Sequence, residues 1–540
     1  MNRRSLLLRM GGAAVGSVVA GALGCNDFKV NSTLPDLGPA QPPTPVPGMT
    51  YIWASKIGCA LDCDLSQGVN KYTGGAATDD GPRINAAMSA ASPDNPITLI
   101  IDGSAMISGL FMPSGGYWSI AGLGYGTGFY VQSGINNDGI HNGPSDANIP
   151  FNPGPPAPLR GQNVSLSNFT LNGNELGDST TGMRQGTAAT WYCGINLMNL
   201  DNITMENVVV VRTPAFHVRF SNTGNVQVSG CVFESPGLST DGLHFDGPAN
   251  DITITKCKFQ TGDDSIALNC PEGYTGNISR VSVSECTFNS LSLMRLYTIV
   301  GPESPIRCRI DSVSVDNCSG TLSESAFLIG MTDGSLPNSV TALNISNCNL
   351  SAPAVLAVAE NFGVIQLDNV VFTPSQANVV WVGHDSNHIS AFLRPSPLYP
   401  GASFIGSSLT LTNCVIARNQ NVQAAAVVLE DGSSIVNVEF DGFAVQDSGN
   451  YSAISELLYP ISSSIGNLII NSLNSNKIIS PIQPQEFGNI STVSGSGTGV
   501  LSTNWEFPDS VMANEVPYIS AATGMPSIKL NGVVEPYGGG

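Results

Sequence analysis

From about residue 160 the chain repeats one irregular pattern of apolar and polar positions. Short runs alternate the two kinds, close on a polar pair, and are followed by Cys, Val or Phe. One copy reads Asn163-Val164-Ser165-Leu166-Ser167-Asn168-Phe169, and the closing residue returns as Val208, Cys231, Cys257, Cys286, Cys318, Cys348, Val370, Cys414 and Phe443. Between Val208 and Val370 the steps run from 22 to 32 residues. Alternation with period two predicts short strands, here separated by turn residues, as in Ile252-Thr253-Ile254 and Val281-Ser282-Val283. A leucine-rich repeat would show fixed leucines and a helical half, and a propeller blade needs about 40 or more residues. The pattern therefore predicts a parallel β-helix, an all-β solenoid of two or three strands per coil, with coils stacked at about 4.8 Å. The recurrent Cys becomes an internal stack. The recurrent Asn suits a turn that needs left-handed backbone.

The two ends read differently. Asp79-Asp80-Gly81-Pro82-Arg83-Ile84-Asn85-Ala86-Ala87-Met88 predicts a short helix with proline in its first turn, followed by the strand-like Ile97-Thr98-Leu99-Ile100-Ile101. Such a helix would close the first coil and protect an open sheet edge. The β-helix is expected over residues 51–485. Residues 486–540 form a Ser-, Gly- and Pro-rich tail with no assignment. Residues 1–25 read as an export signal of twin-arginine type, with Arg3-Arg4 before an apolar small-residue stretch and a lipoprotein-like Ala22-Leu23-Gly24-Cys25. Proline-rich residues 26–50 form a spacer. The protein is expected in the periplasm or outside the cell, with membrane attachment only through a lipid on Cys25.

Composition narrows the partners. Charged residues are 11% of the 540, and 41 acidic against 21 basic residues give a net charge of −20. That excludes nucleic acid, which requires a basic surface. No Cys-x-x-Cys pair has partner spacing for structural zinc. Cys59 and Cys63 lie in a turn-rich stretch and can pair in an oxidising compartment.

Two stretches carry the candidate chemistry: Thr240-Asp241-Gly242-Leu243-His244-Phe245-Asp246 and Gly262-Asp263-Asp264-Ser265-Ile266-Ala267-Leu268-Asn269. Aligning Leu243 with Ile266 and Phe245 with Leu268 sets Asp241 beside Asp264 one coil on. The preceding coil is expected to place His217 next to His244 and Arg219 next to Asp246. The following coil places Arg295 on the His244 row and Tyr297 on the Asp246 row. Asp241, Asp263 and Asp264 then gather on one outer wall, and such close carboxylates cannot all ionise easily. An acid for a leaving oxygen beside a base for water is the equipment of a glycosidase. Trp191 and Tyr192 are read either as a sugar-stacking platform or as core. His384 and His388 flank Asp385 in an apparent loop.

Asn/Ser-Thr-Asp followed about 20 residues later by Gly-Asp-Asp on stacked coils resembles the polygalacturonase-type glycoside hydrolases, family 28, of the pectin-lyase-like superfamily. The resemblance covers roughly residues 75–350. It implies a right-handed parallel β-helix and inverting hydrolysis with no metal or cofactor, with Asp263 as general acid and Asp241 and Asp264 holding the water. The family's Gly-His-Gly and Arg-x-Lys stand here as Ser290-Leu291-Ser292-Leu293-Met294-Arg295 and Ala326-Phe327-Leu328-Ile329-Gly330-Met331. The basic grip on a galacturonate carboxylate is missing, which points to a substrate other than galacturonan. Arg295 can stand in as one cation, and His217, His244 and Tyr297 are candidate substrate-binding residues. The expectation is an exported, monomeric enzyme that hydrolyses a polysaccharide or oligosaccharide. A polysaccharide lyase using Arg295 and a non-catalytic carbohydrate-binding solenoid are the alternatives.

Overall fold

A computed structural model describes residues 42–135, 137–143, 156–174, 192–235, 237, 240–298, 308–330, 339–375, 389–397, 399, 401–430, 432–452, 455–460, 462–473, 479–480, 490–496, 506–507, 509–514, 516–523 and 525–537. The export signal with Cys25, most of the spacer, Trp191, and the His384, Asp385 and His388 group lie outside the described residues. The protein is a right-handed parallel β-helix: the repeat predicts the parallel β-helix, and the family resemblance implies its hand. Its coils stack strand on strand through parallel ladders from Thr50–Trp53 to Ile490–Gly495. Among the described residues no helix is long and apolar enough to cross a membrane.

Three walls surround one core. A long strand in the middle coils, such as Leu243–Thr255, bends at Asp251 (φ 57°), so that its first half lies on one wall and its second half on the next. A 12-stranded parallel sheet forms the third wall. The corner between second and third walls repeats one backbone conformation: positive φ at Asn168, Asn207, Gly230, Lys256, Glu285, Asn317, Asn347, Asn369, Asn413 and Gly442. Asn predominates because its short amide tolerates this region and bonds the next coil. Asn207 Nδ2 donates to Asn168 Oδ1 at 3.2 Å, and Asn369 Nδ2 to Asn347 Oδ1 at 2.8 Å. The residue after each corner turns inward, which is the position that recurs in the sequence.

Cys231, Cys257, Cys286, Cys318, Cys348 and Cys414 are therefore core residues, at most 2% exposed, and all are free thiols. Phe233, Phe259 and Phe288 stack beside them with ring centroids 5.1 and 5.2 Å apart. Cys59 and Cys63, for which the sequence permitted a disulfide, are also free and buried. The helix Gly81–Met88 carries Pro82 in its first turn and drives Ile84 and Met88 into the core at the first coils. At the other end, Ile490–Gly495 still pairs with Ser464–Ile470, and a separate four-stranded sheet follows from Glu506–Phe507 to Val533–Pro536.

Candidate active site

On the first wall, register lines up residues from many coils. One row reads His141, Asn196, Arg219, His244, Ala267, Arg295, Leu328, Ala357 and Arg394. Leu243 pairs with Ile266, Asp246 with Asn269, Ala267 with Arg295 and Asn269 with Tyr297, as the sequence alignment required. The preceding coil differs by two residues. Arg219, not His217, lies opposite His244, and Ser221 opposite Asp246. A slip of two keeps the same face inward, so the apolar pattern does not detect it.

The three aspartates converge: Asp241, Asp263 and Asp264 each offer a carboxylate oxygen, and these oxygens lie within 4.8 Å of one another. The Asp264 amide donates to Asp241 Oδ1 at 3.3 Å, which ties the two coils together. Asp241 and Asp264 are fully buried, whereas the Asp263 side chain keeps 12% exposure at the rim. Arg295 reaches back from the following coil. Its Nη2 lies 3.1 Å from Asp263 Oδ1 and also pairs with Asp264 Oδ2. Ser292 Oγ donates to Asp264 Oδ1. Burial pushes the Asp264 carboxyl well above the usual carboxylate range. Arg295 and Ser292 pull against that shift, and repulsion from Asp263 and Asp241 adds to it.

Beneath this cluster lies a second, fully buried one. His244 Nδ1 is 2.8 Å from Asp241 Oδ2, and its Nε2 is 3.2 Å from Asp246 Oδ1 and 3.1 Å from Glu272 Oε2. Arg219 Nε donates to Asp246 Oδ2 at 2.6 Å. Phe216 stacks on the imidazole with centroids 3.9 Å apart. Burial alone would favour neutral imidazole, but hydrogen bonds to Asp241, Asp246 and Glu272 raise the His244 pKa to about 10. His244 is therefore an imidazolium at neutral pH. His217 shows the opposite balance. Burial lowers its pKa to about 4, and its Nδ1 lies 2.8 Å from the Asp241 carbonyl oxygen. Neither histidine has accessible surface; His244 bonds the Asp241 carboxylate and His217 the Asp241 main chain. Tyr297 is 4% exposed, under the Arg295 guanidinium and against Tyr399. Tyr192 is buried at 7%.

Two participants carry no motif. Glu272 lies where the register between Asp246 and Gly247 shifts, in an insertion that no repeat predicts. Glu324 occupies the Asp263 column two coils on: the Leu291 amide donates to the Asp263 carbonyl, and the Glu324 amide to the Leu291 carbonyl. Burial, then repulsion from Asp263, raises the Glu324 pKa to about 7 against the pull of Arg295. Only the strict column position signals Glu324 in the sequence. Both the aspartate trio and the His244, Asp246 and Glu272 trio have the spacing of a cation site, but each already holds a protein cation, Arg295 in the first and His244 in the second. The arrangement sets one rim carboxyl beside two buried ones, with charge fixed by a buried network below.

Residues 165–290, which span these carboxylates, match the model of glycosyl hydrolases family 28. Among solved structures, the Yersinia enterocolitica family 28 exopolygalacturonase is similar at 10% identity and a TM-score of 0.51, covering 80% of this chain and 79% of that one. The tailspike protein of E. coli bacteriophage HK620 in complex with pentasaccharide is 12% identical with a TM-score of 0.47, covering 83% of this chain and 78% of the tailspike. The A-module of the Azotobacter vinelandii mannuronan C-5 epimerase AlgE6 is 12% identical with a TM-score of 0.44, covering 76% and 99%. No curated protein matches the chain in sequence.

Proposed function

Starting from a right-handed parallel β-helix whose carboxylate-bearing coils are similar to glycosyl hydrolases family 28, we propose that the protein hydrolyses glycosidic bonds of a polysaccharide with inversion. The observation that carries this reading is the convergence of Asp241, Asp263 and Asp264 within the matched segment. Asp263, at the rim, meets the glycosidic oxygen and gives it a proton as the bond to the anomeric carbon breaks. Water attacks that carbon from the opposite face, and the Asp241 and Asp264 side of the cluster accepts its proton. Proton transfer by a positioned carboxyl contributes about 10²–10⁴-fold in rate. The buried ion pairs below fix the carboxylates before substrate arrives, so no reorganisation is needed during the reaction.

The substrate follows from the missing cations. Arg295 is committed to Asp263 and Asp264, and Arg219 is committed to Asp246 below the surface. Among the described residues, no cation of this row faces the cluster without a carboxylate already on it. The same commitment argues against Arg295 as the base of a lyase. An uncharged sugar at the cleavage point fits better than galacturonate. Export and the lipid on Cys25 belong to the same proposal, since an extracellular glycan requires a secreted enzyme. Purified protein incubated with neutral and acidic plant, algal and bacterial polysaccharides tests the reading. Reducing ends are expected from a neutral polymer and are lost in Asp263→Asn. Release unaffected by that substitution would rule out the assignment of Asp263.

A further inference from the structure

Two buried cysteines stand apart from the stack in the core. Cys270 lies on the strand that begins with Asp264, opposite Thr298 in register and two residues before Glu272. Cys308 lies two residues before Ile310, which pairs with Ile278 beyond the Glu272 insertion. Hydrogen bonds lace the two segments together. The Arg309 amide donates to Asn277 Oδ1 at 2.9 Å, and the Ile278 amide donates to the Arg309 carbonyl at 3.0 Å. Cys270 Sγ lies 3.5 Å from that same carbonyl, and its thiol is hydrogen-bonded to the Cys308 sulfur. Gly247 leaves room for this contact, since a Cβ there would lie 3.1 Å from the Cys270 Cβ.

The stacked thiols are held differently. Cys231, Cys257, Cys286, Cys318 and Cys348 each donate to the carbonyl two residues back, at 3.0–3.4 Å. Burial pushes the Cys257 and Cys414 thiols up, which keeps them protonated and inert. Cys308 moves the other way. The hydrogen bond from Cys270 pulls its thiol down to about 7, against burial and with help from the Gly276 amide. A thiolate is the nucleophile in disulfide exchange, and a neighbouring thiol completes the exchange.

We propose that Cys270 and Cys308 form a disulfide on contact with a small disulfide oxidant, fastening the Glu272 insertion to the segment that leads into Ile310–Asp316. This inference is independent of the hydrolase reading. The Cys308 thiolate attacks one sulfur of the oxidant, whose S–S bond breaks and releases a first thiolate. The Cys270 sulfur gives up its proton, attacks the Cys308 sulfur of the mixed disulfide and releases the second. One S–S bond forms and one breaks, two electrons pass to the oxidant, and the two cysteine protons end on its two thiols. Export, as proposed above, brings the protein to a compartment where such oxidants act.

The test incubates the folded full chain with oxidised glutathione, unfolds it in N-ethylmaleimide and maps the peptides by mass. The expected product links the Cys270 and Cys308 peptides, two hydrogens lighter than the separate thiols, with the five stacked cysteines alkylated. Cys308→Ser is expected to lose the link. Oxidised wild type should melt about 5 °C above the reduced protein, and dithiothreitol should abolish the difference. Cys270 and Cys308 both alkylated after oxidation, a glutathione adduct that never resolves, or a link within the stack overturns the proposal, and none of these readings needs a variant to fold. A link that forms without raising the melting temperature overturns the fastening role.

Discussion

His244 Nδ1 and Asp241 Oδ2 lie 2.8 Å apart, and neither side chain reaches solvent. The same imidazole touches Asp246 and Glu272 through its other nitrogen. Removing water from so many charges is costly, and it is offset only because each cation meets carboxylates at hydrogen-bond distance. The orientation of the buried Asp241 carboxylate is set by residues that are themselves out of reach of solvent.

Stability is expected to depend on the His244 proton. The folded pKa is raised to about 10 from an ordinary 6.5. The native state therefore keeps a proton that the unfolded chain releases. The contribution is fully present below about pH 6.5 and is lost as pH rises toward 10. Melting temperatures measured between pH 6 and pH 10 should fall in the wild type and change less in His244→Gln. The variant itself should lose about 3–5 kcal/mol at neutral pH, because buried carboxylates are left without their cation.

Asp263→Asn should reduce reducing-end release by about 10²–10⁴-fold while leaving the melting temperature nearly unchanged. Asp263 is the rim member of the cluster, so its substitution leaves the His244 network intact. Activity assays paired with thermal melts check both halves of this expectation.

Glu324 should tune the alkaline limb of the pH–rate profile. An ionised Glu324 repels charge on Asp263 and so favours a protonated donor. Glu324→Gln removes that repulsion, and the limb should move to lower pH. An unchanged limb, with activity otherwise retained, would show that the two carboxyls do not communicate.

Phe259→Ala tests the core of the same coils. Phe259 is 1% exposed between Phe233 and Phe288. Truncation should cost about 3–5 kcal/mol, read as a shift in denaturant midpoint. A shift much below that range would mean that the aromatic stack relaxes into the space.

The solenoid and the aspartate trio were legible in the sequence for one reason. Alternation fixes which residues face inward, and matching Leu243 to Ile266 and Phe245 to Leu268 carries every neighbouring position into register. The same logic failed for His217, because a two-residue slip preserves alternation and matching histidine to histidine chose the wrong one of two equivalent alignments. Glu272 and Glu324 escaped for different reasons. The first sits in a bulge outside any repeat, and the second is a single carboxylate two coils from the motif, visible only once the column Asp263–Leu291–Glu324 is known. The contact between Tyr297 and Tyr399 was invisible, since 102 residues separate them.

The invariant left-handed corner also governs how this architecture can diversify. Coils differ in length, yet the corner from Asn168 to Gly442 keeps its backbone. Added residues must therefore enter elsewhere, as residues 270–272 do between the paired Asn269 and Gly273, bringing Glu272 to His244. Lengthening or trimming such insertions would resculpt the surroundings of the carboxylates while the inner stack stays untouched, much as a lathe accepts new tooling without moving its bed.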